Sequence, residues 1–138
     1  MRTIHLQRAD GSTIKFEHYE SRRPDDSHRR FDGDGAPDGL PPKVDLRPLM
    51  TAIEDQQQTS SCVANATAGA YEYLVKAHTG DDYDVSRLFI YYNARDLEND
   101  AGDDSGSAIE DAIAGLKQYG ACCERAWPFR EERVTEKP

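Results

Sequence analysis

The chain has little with which to move protons near neutrality. Its 138 residues hold four histidines, at positions 5, 18, 28 and 78. Cysteine occurs three times. An odd number cannot all pair internally, and the adjacent Cys122 and Cys123 are badly placed to bond each other, so reduced thiols and a cytoplasmic setting are expected. No run of 18 apolar residues exists, which excludes a helical membrane span. The start, Met1-Arg2-Thr3-Ile4-His5-Leu6, lacks the apolar core of a signal peptide. Basic residues number 17 against 26 acidic ones, for a net charge of −9. The sequence pI is about 4.8. Nucleic acid and anionic membrane surfaces call for basic patches and are excluded as expected partners. Apolar residues are also few, at 37%, with a mean hydropathy of −0.83. One domain with a real core is expected, together with a stretch that does not pack.

Residues 3–7 and 13–17 alternate in polarity around Asp10-Gly11, which predicts a β-hairpin over 1–19 with Ile4, Leu6, Ile14 and Phe16 on one face. Residues 20–41 are rich in Arg, Asp, Gly and Pro and read as a flexible linker. From there to Pro138 the composition is globular. Three helices are expected. The first runs from about Ser61 to His78, ends at Gly80, and carries Val63, Ala66, Ala70, Leu74 and Ala77 as its apolar stripe. A second follows a Ser86 cap and covers Leu88 to about Arg95. The third opens on a capping box, Ser107-Ala-Ile-Glu110, places Ile109, Ile113 and Leu116 on one face, and stops at Gly120. The fold class is therefore α+β, mainly α.

The chemistry concentrates at Gln56-Gln57-Gln58-Thr59-Ser60-Ser61-Cys62, where a polar loop becomes a helix. The first turn of a helix presents free N–H groups and the positive end of its dipole, with Ser60 or Ser61 as cap, and that placement favours the nucleophilic thiolate at Cys62. The amide of Gln56, six residues upstream, and the backbone N–H of Cys62 are candidate donors to an oxyanion formed beside the thiol. The alternatives are a small buried helix residue for Cys62 and a solvated amide for Gln56. Cys122 and Cys123 read as ordinary packing. Asp100-Ala-Gly-Asp-Asp-Ser-Gly lacks calcium-loop spacing and reads as a solvated acidic loop. No metal site and no cofactor is expected. Tyr71, Tyr73, Tyr91 and Tyr92 read as core or interface aromatics.

From Pro42 to Phe129 the sequence resembles the papain-like cysteine peptidases. Pro42-Lys-Val-Asp-Leu-Arg47 is similar to the family's mature N-terminal segment. Gln56 and Cys62 stand at the spacing of its oxyanion glutamine and nucleophile. Ser105-Gly106-Ser107 is similar to its Gly-Gly stretch, which binds substrate backbone. Tyr119-Gly120 and Trp127-Pro128-Phe129 are similar to the segment that closes its left-hand, helical lobe. The resemblance implies that residues 42–138 form such a lobe. It also implies that Gly106, Ser107, Ala108 and Ile109 line the substrate site, the last two near the pocket for the second residue before the scissile bond. The match has departures. The family signature, Cys-Gly-[Ser/Ala]-Cys-[Trp/Tyr], reads Thr59-Ser60-Ser61-Cys62-Val63 here, so the first cysteine, one end of a family disulfide, is lost. Gln57 and Ser107 replace glycines. These changes resemble a divergent microbial branch.

A peptidase of this kind also needs a histidine, oriented by a third residue, that pairs with the thiolate and protonates the leaving amine. The family places His and Asn about 130–150 residues beyond the cysteine, whereas 76 residues follow Cys62 here. His78 would lie about 24 Å along the same helix, out of reach. His5 and His18 fall in the hairpin and His28 in the linker. The expectation is a lobe that holds Cys62 but is inactive alone. It would act on a peptide or protein substrate only when completed by a right-hand lobe. The alternative is a non-catalytic protein-binding or self-associating lobe, a possible homo-oligomer through the face a second lobe would cover.

Overall fold

The computed structural model describes residues 4–16, 39 and 41–138. Strands β1 (Ile4–Gln7) and β2 (Thr13–Phe16) pair antiparallel, with Ile4 opposite Phe16 and Leu6 opposite Ile14. Asp10 and Gly11 form the turn as expected: the Gly11 N–H donates to Arg8 O at 3.0 Å, and the Asp10 carboxylate accepts from the Ser12 N–H at 2.8 Å. The side chains of Ile4, Leu6, Ile14 and Phe16 lie outside the described set, and so does the linker expected at 20–41, apart from Gly39 and Pro41. Arg8 reaches Asp55 of the helical body at 3.2 Å.

A 3-10 turn, Arg47–Leu49, precedes three helices among the described residues: α1 (Cys62–Thr79), α2 (Arg87–Asp96) and α3 (Ile109–Tyr119). The molecule is mainly helical. Helix α1 ends where expected, at Gly80, whose φ of 80° is the left-handed conformation that glycine adopts without a Cβ penalty. The Ser86 hydroxyl caps α2, accepting from the Phe89 N–H at 3.1 Å.

The inward faces differ from the expected stripes. On α1, Val63 is buried as expected, but the other buried positions are Ala64, Ala68 and Glu72, while Ala66, Ala70, Leu74 and Ala77 are exposed. Two forces turn the helix this way. Ala64 and Ala68 are small enough to join a close-packed cluster with Leu88, Tyr91 and Ala94 of α2 and Ala112 of α3. Glu72 is drawn in because its carboxylate accepts from the buried Val85 N–H at 2.8 Å and from the Thr51 hydroxyl. On α3 the buried residues are Asp111, Ala112 and Gly115, and Ile109 and Ile113 face outward. The capping box does not form: Ala108 is the cap residue, without a side-chain bond, and α3 begins at Ile109.

After α3 the chain returns to α2. Val85 bridges Cys123, the Ser86 N–H donates to Cys122 O at 2.9 Å, and the Ser86 hydroxyl donates to Trp127 O at 2.6 Å. Trp127, Phe129 and Val134 then pack against the core.

Candidate active site

Cys62 is the first residue of α1 and its thiol is free and exposed. The loop leading to it is braced from within. Gln57 takes a positive φ of 54°, held by its N–H donating to the Asp55 carboxylate at 2.8 Å. That bond, followed by the Arg8 guanidinium, holds the Asp55 carboxyl below the usual carboxylate range. The Gln56 amide donates to Thr59 O at 2.8 Å, and the Thr59 hydroxyl returns a bond to Gln56 O at 2.8 Å. A primary amide has two hydrogens; one of those on Gln56 is spent on Thr59, and the second is the candidate oxyanion donor. Ser61 occupies the cap position of α1, yet its hydroxyl caps nothing, which corrects the expectation for Ser60 or Ser61. The Ser61 hydroxyl lies 2.6 Å from Thr59 Oγ1 and accepts from Asn65 Nδ2 at 2.9 Å. Since the Thr59 proton goes to Gln56 O, the proton between the two hydroxyls belongs to Ser61. From the C-terminal segment, Glu131 accepts from the Gln58 N–H at 2.7 Å.

The second wall is the loop that enters α3. Gly106 has a φ of 88°, which favours glycine, and a Cβ placed there would lie 3.8 Å from Ser60 O. Gly106 is thus brought against the residue two before Cys62. Ser107 follows, half-buried, with its buried Oγ unpartnered among the described residues. Ala108 caps α3, and Ile109, its first residue, is exposed.

What joins the two walls was not foreseen. The Asp104 carboxylate accepts the Ser60 N–H with both oxygens, each at 3.0 Å, and accepts the Tyr91 hydroxyl at 2.6 Å. The Tyr91 oxygen in turn accepts the Gly106 N–H at 2.9 Å. Burial, reinforced by Asp104, pushes the Tyr91 phenol far above its ordinary range, so it stays a donor at any physiological pH. Asp104 is therefore a bonded clamp and not part of a solvated loop, and the hydroxyl of Tyr91, whose ring is core as expected, is part of the site.

Arg87, Tyr91 and Arg95 recur at every fourth residue of α2, and all three are buried. Arg87 donates to Asp55 O at 3.1 Å and Asn65 Oδ1 at 3.2 Å, and pairs with Glu54 at 3.0 Å. Arg95 stacks on the Tyr91 ring at 3.7 Å and donates to Asp103 O and Val134 O. One helix face thus holds the loop before Cys62, the loop after Asp103 and the C-terminal segment. The readable signal was charge at the core-facing period of a helix, since buried arginines need partners.

His78 lies near the far end of α1, exposed, with Nδ1 3.0 Å from Leu74 O. His5 is exposed on β1, and His18 and His28 are outside the described residues. Among the described residues no group of three or more His, Cys, Asp or Glu side chains is arranged to hold a metal.

No protein-family model matches the chain. Individual proteins do. It is 40% identical over 100 residues to an uncharacterised peptidase C1-like protein of Acanthamoeba polyphaga mimivirus, a match covering 68% of this chain and 32% of that protein. It is 34% identical over 110 residues to a cysteine endopeptidase, RepA, of Oryza sativa subsp. japonica, covering 75% and 27%. The chain thus spans about a third of the length of the curated relatives it matches. Among solved structures, xylellain, a cysteine protease from Xylella fastidiosa, aligns with a TM-score of 0.61 at 40% identity, over 72% of this chain and 39% of that one. Procathepsin L 3 from the larval midgut of Tenebrio molitor aligns with a TM-score of 0.61 over 74% and 33%; its 23% identity speaks to fold alone. A virus, a plant and a bacterium supply relatives of a single kind, and the chain belongs with them to the papain-like cysteine peptidase family, whose helical lobe its three helices form.

Proposed function

We propose that this chain is the nucleophile lobe of a cysteine-type peptidase and is inactive without a second lobe. The observation that carries this reading is an exposed free thiol on the first residue of α1, with the Gln56 amide braced in the preceding turn. In the completed enzyme Cys62 Sγ would attack the carbonyl carbon of a peptide bond. Gln56 and the Cys62 N–H would receive the oxyanion. The C–N bond would then break as the amine leaves with a proton, and water would release the acid from the thioester. The proton donor would come from the second lobe, since His78 stands at the other end of α1. Substrate backbone would lie along Gly106 and Ser107, with Ala108 and Ile109 beside it.

The test is direct. The purified 138-residue chain is expected to give no steady turnover of a chromogenic peptide amide, while a peptidyl electrophile adds once, at Cys62, by peptide mapping. Steady turnover abolished by Cys62→Ala would overturn the inactivity, and addition at Cys122 or Cys123 in preference to Cys62 would overturn the nucleophile assignment.

One observation favours a second reading, a lobe that associates with itself or another protein. Val44, Ile53 and Leu74 are 69%, 101% and 54% exposed, respectively. Sedimentation is expected to show association rising with concentration; a strictly monomeric chain across the series removes this reading.

A further inference from the structure

The nucleophile loop and the Gly106 loop share no covalent link. Thr59 stands where the family signature has a cysteine, and all three cysteines of the chain are free. What fastens the loops is polar. Asp104 spends both oxygens on the N–H of Ser60, two residues before the nucleophile, and also takes the Tyr91 proton. Tyr91 accepts the N–H of Gly106, the residue proposed to meet substrate backbone. In this relay the Ser60 N–H is shared between the two Asp104 oxygens, while the Tyr91 hydroxyl and the Gly106 N–H each have one acceptor. Its anchor is a phenol with a fully buried ring, stacked by Arg95.

We propose that Asp104, held by Tyr91, is a positioning residue that sets the distance between the Cys62 loop and the Gly106–Ser107 loop, and so decides how well a peptide presented along Gly106 reaches the thiol. The proposal rests on the peptidase reading above. Charge-assisted bonds of this type are the strong ones, and a carboxylate accepting from a backbone N–H places that backbone closely. Without the carboxylate the loops keep their sequence and their thiol but lose their spacing. Peptide-directed chemistry should therefore suffer where plain thiol chemistry does not.

The experiment compares two probes on the full chain: iodoacetamide, which needs only an open thiol, and a dipeptidyl vinyl sulfone, which must also lie along the Gly106 loop. In Asp104→Ala and Tyr91→Phe the vinyl sulfone rate at Cys62 is expected to fall about tenfold or more, the scale of a reacting group displaced by a fraction of an ångström to an ångström. The iodoacetamide rate should stay within about twofold, a change too small to signal a repositioned or masked thiol. Asp104→Glu should recover part of the loss. Tyr91→Phe keeps the ring and tests the hydroxyl alone. Equal rates for both probes in folded variants would overturn the proposal, and so would equal falls for both. Amide exchange gives a readout independent of reactivity and of variant folding. The Ser60 and Gly106 N–H groups of the unaltered chain should be protected, and free exchange at both would overturn the clamp outright. If the unaltered chain takes up vinyl sulfone no faster at Cys62 than at Cys122, the peptidase reading has failed instead, and the exchange result alone decides the clamp.

Discussion

Two thiols of this chain make a useful contrast. Cys62 is exposed at a helix start, whereas Cys122 is half-buried and burial pushes its thiol above the ordinary range. A raised thiol holds less thiolate at any pH below its own value, so at neutral pH Cys62 is expected to be carbamidomethylated well before Cys122. Time-resolved mass mapping checks this, and equal labelling rates would refute it. The same contrast marks what could be read in advance. Cys62 and Gln56 were legible because their relation is local, six residues within one loop. Asp104 and Tyr91 were not, because the bonds that matter span 44 residues to Ser60 and 13 to Tyr91. An aspartate in an acidic run and a tyrosine in an aromatic run look solvated and apolar until the fold sets them together. Arg87 and Arg95 were the stronger clue: an arginine at a buried helical position must be reaching for something.

At the scale of elements, helix ends were legible where a side chain or glycine acts on its own turn. Ser86 caps α2, and Gly80 ends α1. Ser86→Ala is expected to cost about 1–2 kcal/mol, since it removes a cap and the partner of Trp127 O together. Urea denaturation measures this, and an unchanged midpoint would contradict it. Ser107 failed as a cap because the chain entering α3 is set from outside: Gly106 is tied to Tyr91, so the helix opens one residue late on Ala108. Glu110 and Asp111 still lie in its first turn, where negative charge complements the dipole. The stripes on α1 and α3 misled for a related reason. Counting apolar residues favours large ones, whereas close helix packing here selects small ones, Ala64, Ala68 and Ala112, and leaves Leu74, Ile109 and Ile113 outside.

Taken whole, the molecule should weaken in acid. Asp10 is held below the ordinary carboxylate range by the Ser12 hydroxyl, Asp45 by Arg47, Asp55 by the Gln57 N–H, and Glu136 by Arg133. A carboxyl more acidic in the fold than in the unfolded chain adds stability above its unfolded value, and that contribution is lost as pH falls through the lower folded one. Glu54, pushed up by burial, acts in the opposite sense. The four lowered groups are exposed, so the change should be shallow. The melting temperature is expected to stay level from neutral pH down to the carboxylate range and to decline below it, and a rise on acidification would contradict the signs. The mainly helical architecture was legible from composition and periodicity, but how its loops are gathered was not, because that depends on one helix. Arg87 and Tyr91 are a single turn apart on α2, about 6 Å along its axis, and each governs a different loop. The spacing of the two loops thus follows the pitch of a helix. Swapping residues in the loops changes what lines them but not that spacing. One residue inserted into α2 between the two would swing everything beyond it by about 100°, and a single mutational step would unhook the Asp104–Gly106 loop from the face that Arg87 holds.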